Sequence, residues 1–157
     1  MDYKKPLKAK AKGLSRPGTK VSASVRSDNM KMVDGLTGDF VVEIMNARTS
    51  LHKLHLQVTG VGSFAQHKAL NEIYDALPEQ IDVVAEGYQG ACEVILRYPE
   101  KAPVTLESVE GAISYLRALS NQAYELQEVM PHSEVNSNID LIKDSINAAK
   151  YKLLFLA

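Results

Sequence analysis

The sequence predicts an all-α protein, a four-helix bundle with a longer connection between helices two and three. Three observations carry that prediction. Apolar residues recur at helical spacing in four separate stretches, no stretch alternates with the period of two that a half-buried strand needs, and Gly, Pro and Ser fall between the stretches. Amphipathic helices of this kind bury their apolar stripes most simply against one another.

Helix one is expected to start within 30–38, where Gly35 and Gly38 blur the boundary, and to run to about Val58. Its stripe is Leu36, Phe40, Ile44, Ala47, Leu51, Leu54 and Val58, each three or four residues from the next. The run Thr59-Gly60-Val61-Gly62-Ser63 then punctuates the pattern, with Gly60 as a left-handed stop and Ser63 and Gln66 spaced as a capping box. Helix two is expected from about Phe64 toward Tyr88 on the stripe Leu70, Ile73, Leu77, Ile81, Val84 and Tyr88. Pro78 lies inside it and removes a backbone donor, so a kink is expected there.

Pro99 and Pro103 make 97–104 a connection. Helix three follows from about Leu106, with Glu107 and Glu110 at its positive end and Val109, Ile113, Leu116, Ala123, Leu126 and Met130 on its buried face. Pro131-His132-Ser133 ends it and leaves His132 in an exposed loop. Ser137 and Asp140 are spaced as a second capping box, and Ile139, Ile142, Ile146, Ala149, Leu153 and Leu156 carry helix four.

The 157 residues fit one domain, 45% apolar and 24% charged. No apolar run approaches the ~20 residues of a membrane span. The first residues lack the apolar core of a secretory signal, and the single Cys92 suits a reducing compartment, so a cytoplasmic location is expected. The net charge of −1 conceals an asymmetry. Residues 1–30 carry Lys4, Lys5, Lys8, Lys10, Lys12, Arg16, Lys20 and Arg26 against only Asp2 and Asp28, while residues 31–157 carry an acidic excess. Without apolar periodicity, 1–30 reads as a flexible basic arm on a bundle spanning 31–157. Such an arm binds nucleic-acid backbones without sequence preference. A solubilising tail, or an arm that docks in a partner's acidic groove, would have the same composition.

Polar residues interrupt the stripe of helix two at His67, Asn71, Asp82 and Glu86. At ~100° per residue they project from roughly one side. His55 and His67 lie six residues either side of Val61, so a helical hairpin sets the two imidazoles side by side. At ~1.5 Å per residue, Asp82 is about 22 Å from His67, too far to share an ion within one chain. A second chain lying antiparallel would bring Asp82 and Glu86 to the neighbour's His55 and His67, a donor set suited to iron or another first-row ion. Ordinary solvated side chains would show the same spacing.

The stretch His52-Lys-Leu-His55-Leu-Gln-Val58-Thr-Gly60-Val-Gly-Ser-Phe64-Ala-Gln-His67-Lys-Ala-Leu-Asn71-Glu72-Ile-Tyr74 resembles the Dps-type mini-ferritins of the ferritin-like superfamily. Their pattern reads H-x-x-H-W-x-V-x-G-x-x-F-x-x-x-H-x-x-x-D-E-x-Y, followed by D-x-x-A-E, here Asp82-Val-Val-Ala85-Glu86. Asn71 stands where the family has an acidic ligand, and Leu56 where it has Trp. The resemblance implies a ferritin-like bundle assembled as a hollow shell of twelve subunits. It implies ferroxidase sites across two-fold interfaces that oxidise and store Fe(II), with metal ligands at His55, His67, Asn71, Asp82 and Glu86. It also implies DNA binding through the Lys-rich arm. A second reading is a metal-degenerate subunit of a virion or other nucleic-acid-containing particle, its arm docked on a partner. A third, other intra-bundle di-iron chemistry, lacks the Glu-x-x-His pairs that such sites use.

Overall fold

The computed structural model describes residues 26–157. Four helices account for most of them: α1 (Asp28–His55), α2 (Ser63–Cys92), α3 (Val109–Val129) and α4 (Ser133–Phe155), with no strand among the described residues. The basic positions Lys4, Lys5, Lys8, Lys10, Lys12, Arg16 and Lys20 lie outside the described residues. Helix α1 begins within the range expected for the arm, because Ser27 caps it by accepting from the Met30 amide at 3.3 Å.

The helices form a square in which α1 and α4 each pack on both α2 and α3. Contacts along their lengths fix the directions. Glu72 pairs with Lys152, Gln80 donates to Ser145 at 2.8 Å, and Gly87 lies by Val135 and Asn138, so α4 runs antiparallel to α2. The connection between α2 and α3 doubles back along α1. Its Arg97 carbonyl sits against Gly38, and its Lys101 bridges Asp39 and Glu43 at 3.2 and 3.0 Å. Asn46 then donates to the Lys101 carbonyl at 3.0 Å. This single long crossover leaves α2 and α3 diagonal in the square.

The expected stripes form the core. Every named stripe residue of α2 is buried, as are Phe40, Ile44, Ala47, Leu51 and Leu54 of α1 and Ile139, Ile142, Ile146, Ala149 and Leu153 of α4. Leu36 and Leu156 instead lie exposed, at 40% and 55%: Leu36 faces outward while its α1 neighbours Val33 and Thr37 are buried, and Leu156 lies past the end of α4.

Several local expectations are corrected. Helix α1 ends at His55, so Gly60 lies within the link rather than at the helix stop. Gly62, in the left-handed region at φ 80°, caps α2 without a side chain. The amide of Ser63 is already bonded to the Gly60 carbonyl at 3.2 Å, so the Ser63/Gln66 capping box does not form. Likewise α4 starts at Ser133, which leaves Ser137 inside the helix with its hydroxyl donating to the Ser133 carbonyl at 3.0 Å. Helix α3 is capped at Ser108, whose hydroxyl accepts from the Gly111 amide. Pro78 is accommodated within a continuous α2 that reaches Cys92.

Candidate metal centre

The last turn of α1 and the first of α2 meet across a seven-residue link, 56–62. Leu54 holds the exit by accepting from the amides of Gln57 and Val58 at 2.8 and 3.1 Å. Gly60 and Gly62, at φ 87° and 80°, then reverse the chain through conformations that L side chains rarely adopt. A side chain at Gly62 would also press on the Ala157 backbone at 3.0 Å.

This reversal brings His55 and His67 face to face, their ring centroids 3.6 Å apart and 27° from coplanar. Each ring is fixed by the other's backbone. His55 Nδ1 donates to the His67 carbonyl at 3.0 Å, and His67 Nδ1 donates to the His55 carbonyl at 3.1 Å. A carbonyl oxygen can only accept, so both Nδ1 atoms carry hydrogen, and a neutral imidazole so arranged has its lone pair on Nε2. Metal-binding histidines are oriented in this way, with one nitrogen committed to a backbone carbonyl and the other left to bind.

Tyr74 packs edge-on against His55 at 5.1 Å and stacks on His52 at 4.2 Å. His55 is buried, whereas His67 is exposed at the surface. Asn71 is committed elsewhere: its Oδ1 accepts from the Tyr74 hydroxyl at 2.8 Å, and its Nδ2 donates to Asp75 at 2.7 Å. One lone pair of the only Asn71 atom able to bind a cation therefore accepts from a phenol.

Asp82 and Glu86 are exposed farther along α2. Asp82 borders a cavity of about 270 Å³ between α1 and α2, beside Met45, Arg48 and Pro78. Fifteen residues of helix separate it from His67, about 22 Å. The structure thus brings His55 and His67 together and leaves Asp82 and Glu86 apart from them. Among the described residues no three or more His, Cys, Asp or Glu side chains converge on a point that could hold a metal ion.

Arg26, grouped by sequence with the basic arm, is held by the bundle. Its guanidinium donates to Asp34 and to the Cys92 carbonyl, both at 2.8 Å. Asp34 also accepts from the Tyr88 hydroxyl at 2.7 Å. Burial first, then the bond to Asp34, holds that phenol well above its ordinary range. His132 is likewise not a free loop residue: it caps α4 and its ring meets Cys92. Forty residues separate that pair, and no spacing rule links them. The His52–Tyr74 stack joins two helices, and only the hairpin geometry could have shown it.

A family model described as a family of unknown function (DUF5856) matches residues 55–153, from the buried histidine to the end of the α4 core. No curated protein and no solved structure matches the chain.

Proposed function

The chain belongs to a family of unknown function (DUF5856), and from its geometry we propose a Dps-like role: a self-assembling bundle that binds and oxidises Fe(II) between subunits. The observation that carries this reading is the reciprocal histidine pair, which leaves two oriented Nε2 lone pairs at one end of the α1–α2 hairpin. Their chemistry fits a first-row divalent ion, and the carboxylates of Asp82 and Glu86 fit the charge such an ion brings. Separation along α2 assigns nitrogen and oxygen donors to different copies of the chain. Exposed apolar groups around the hairpin, Leu56 at 71%, Val61 at 103% and Phe64 at 76%, and Met45 at 48% beside Asp82, support contact with a second copy.

Here iron is the substrate. His55 and His67 supply neutral donors, while Asp82 and Glu86 bind and offset its charge as it rises on oxidation. The test is oxidation of Fe(II) by peroxide, followed for the wild type and for His67→Ala, together with particle mass in solution. The expected outcome is a multi-subunit particle whose oxidation slows by an order of magnitude or more in the variant. Equal rates, or a monomer with full activity, would refute the reading.

One observation favours a second reading, a metal-free assembly subunit of a nucleic-acid-containing particle. The amide oxygen of Asn71 already accepts from Tyr74, so the position that would add a further ligand offers a neutral oxygen that a phenol competes for. Metal analysis of the purified protein separates the two, because stoichiometric iron lost on Asp82→Asn excludes the second. DNA binding through the arm is a separate proposal. Arg26 is engaged with Asp34, so the deletion that tests it ends at residue 25. An unchanged mobility shift of duplex DNA at low salt would place the contact elsewhere.

A further inference from the structure

At the other end of α2, its last residue, Cys92, meets the residue that caps α4. Cys92 Sγ lies 3.3 Å from His132 Nε2, and on the far side of the same ring His132 Nδ1 lies 3.7 Å from Glu134 Oε1. The three groups are in line: thiol, imidazole, carboxylate. Sulfur and carboxylate lie on opposite ring nitrogens, so they do not converge on one ion and the arrangement is not a chelate. The carboxylate favours hydrogen on Nδ1, which leaves the Nε2 lone pair facing the thiol.

Two further features act on the sulfur. His132 opens α4, so the positive end of that helix stands by the thiol. Arg26 caps the Cys92 carbonyl at 2.8 Å, offsetting the negative end of α2. The same guanidinium is paired with Asp34 at 2.8 Å, which fixes the cation at this end of α2. The cluster is accessible: Cys92 is half-buried, His132 is 28% exposed and Glu134 is 65% exposed.

We propose that Cys92, His132 and Glu134 form a thiol–imidazole–carboxylate relay that makes Cys92 a nucleophile toward small-molecule disulfides and a site of reversible mixed-disulfide formation. In the step, Cys92 Sγ gives its proton to His132 Nε2 and attacks one sulfur of the reagent. A new S–S bond forms to Cys92 as the reagent's own S–S bond breaks. The departing thiolate takes the proton from His132 and leaves as a thiol. Cys92 is oxidised, half of the reagent is reduced, and no other reactant is needed. Cys92 is the nucleophile and His132 the base. Glu134 is a positioning residue that acts through His132.

A free thiol is only about 3 per cent ionised at neutral pH. Removing its proton therefore adds at most about thirtyfold, and the weaker nucleophilicity of a more acidic thiol trims this to about three- to fourfold. The test measures the rate of mixed-disulfide formation with hydroxyethyl disulfide at neutral pH by intact mass. That uncharged reagent is indifferent to the charges substituted. The native wild type should react about three- to fourfold faster than the same chain in denaturant, and Cys92→Ser should form no adduct. His132→Gln should lose the acceleration and regain part of it with added imidazole. Glu134→Gln should lose part of it and Glu134→Asp should restore it, which a merely structural carboxylate would not do. A native rate no greater than the denatured rate, or a folded His132→Gln as fast as wild type, would overturn the proposal. If His132→Gln does not fold, the native-to-denatured ratio of the wild type decides alone.

Discussion

Two glycines three residues apart on α1 should respond oppositely to the same substitution. Gly35 is exposed, and a methyl group there would meet nothing within 4 Å. Ala at an open helical position replaces the most flexible residue with the best helix former, a gain of about 0.5–1 kcal/mol. Gly35→Ala should therefore raise the melting temperature by about 1–4 °C in a chain of this size. Gly38 offers the same propensity gain, but its added Cβ would collide with the Arg97 carbonyl oxygen. That oxygen belongs to backbone and cannot rotate away. The crossover would have to lift from α1, straining the Asn46 bond to the Lys101 carbonyl and the Lys101 bridge to Glu43. Overpacking of this kind costs about 1–3 kcal/mol, which outweighs the propensity gain. Gly38→Ala should thus melt below wild type, and Gly35→Ala above it. Thermal unfolding followed by helical circular dichroism reads both. A Gly38→Ala protein as stable as wild type would refute the close seating of the crossover on α1.

Other outcomes follow from the polar groups. Tyr88→Phe removes the bond from a fully buried phenol to the Asp34 carboxylate, and should cost about 1.5–3 kcal/mol in chemical denaturation. An unchanged midpoint would mean that the Arg26 bond alone satisfies Asp34. Tyr115, pushed up to about 12 by burial first and the Glu43 charge second, makes stability pH-dependent at the alkaline end. A raised folded value means the contribution is whole below the unfolded value of about 10 and fades as pH rises toward 12. Tyr115→Phe should flatten that fall in an alkaline titration of the melting temperature. Asp140 is lowered from its ordinary value, first by the bond from Gln127 and then by Lys143. Its contribution is therefore present above about pH 4 and lost as pH falls through the lowered value. Asp140→Asn should match wild type in strong acid and fall behind it at neutral pH.

Much of the fold was legible because burial and helical period are one signal. Every stripe residue of α2 from Leu70 to Tyr88 is buried, and a pattern so regular leaves no freedom in which face turns inward. Caps were less legible. Ser63 and Ser137 carry the right spacing, but a capping residue must also sit outside the helix with its neighbour's amide free. The turn hydrogen bond to Gly60 removes that condition at the first, and an earlier start of α4 removes it at the second. In the candidate site, the adjacency of His55 and His67 was legible from the symmetry of the hairpin about Val61. Their reciprocal carbonyl bonds were not, because backbone direction in a link rich in glycine is not encoded in side-chain spacing. Asn71 shows the same limit: its type was plain in the sequence, but its commitment to Tyr74 depends on a rotamer.

The crossover explains why chemistry gathers at both ends of α2. Had a short turn joined α2 to α3, those two helices would be antiparallel neighbours and the end of α2 would face the start of α3. The long connection instead carries the chain back along α1, makes α2 and α3 diagonal, and gives α2 a second antiparallel neighbour in α4. One end of α2 then meets the end of α1, where the hairpin stacks His55 on His67. Its other end meets the start of α4, where Cys92 reaches His132. Thirty residues of helix hold the two clusters roughly 40 Å apart, too far for a shared ion, proton or side-chain contact. On the readings proposed above, each draws its missing component from outside this bundle: the histidine pair from the carboxylates of another copy, the thiol from a small molecule in solution.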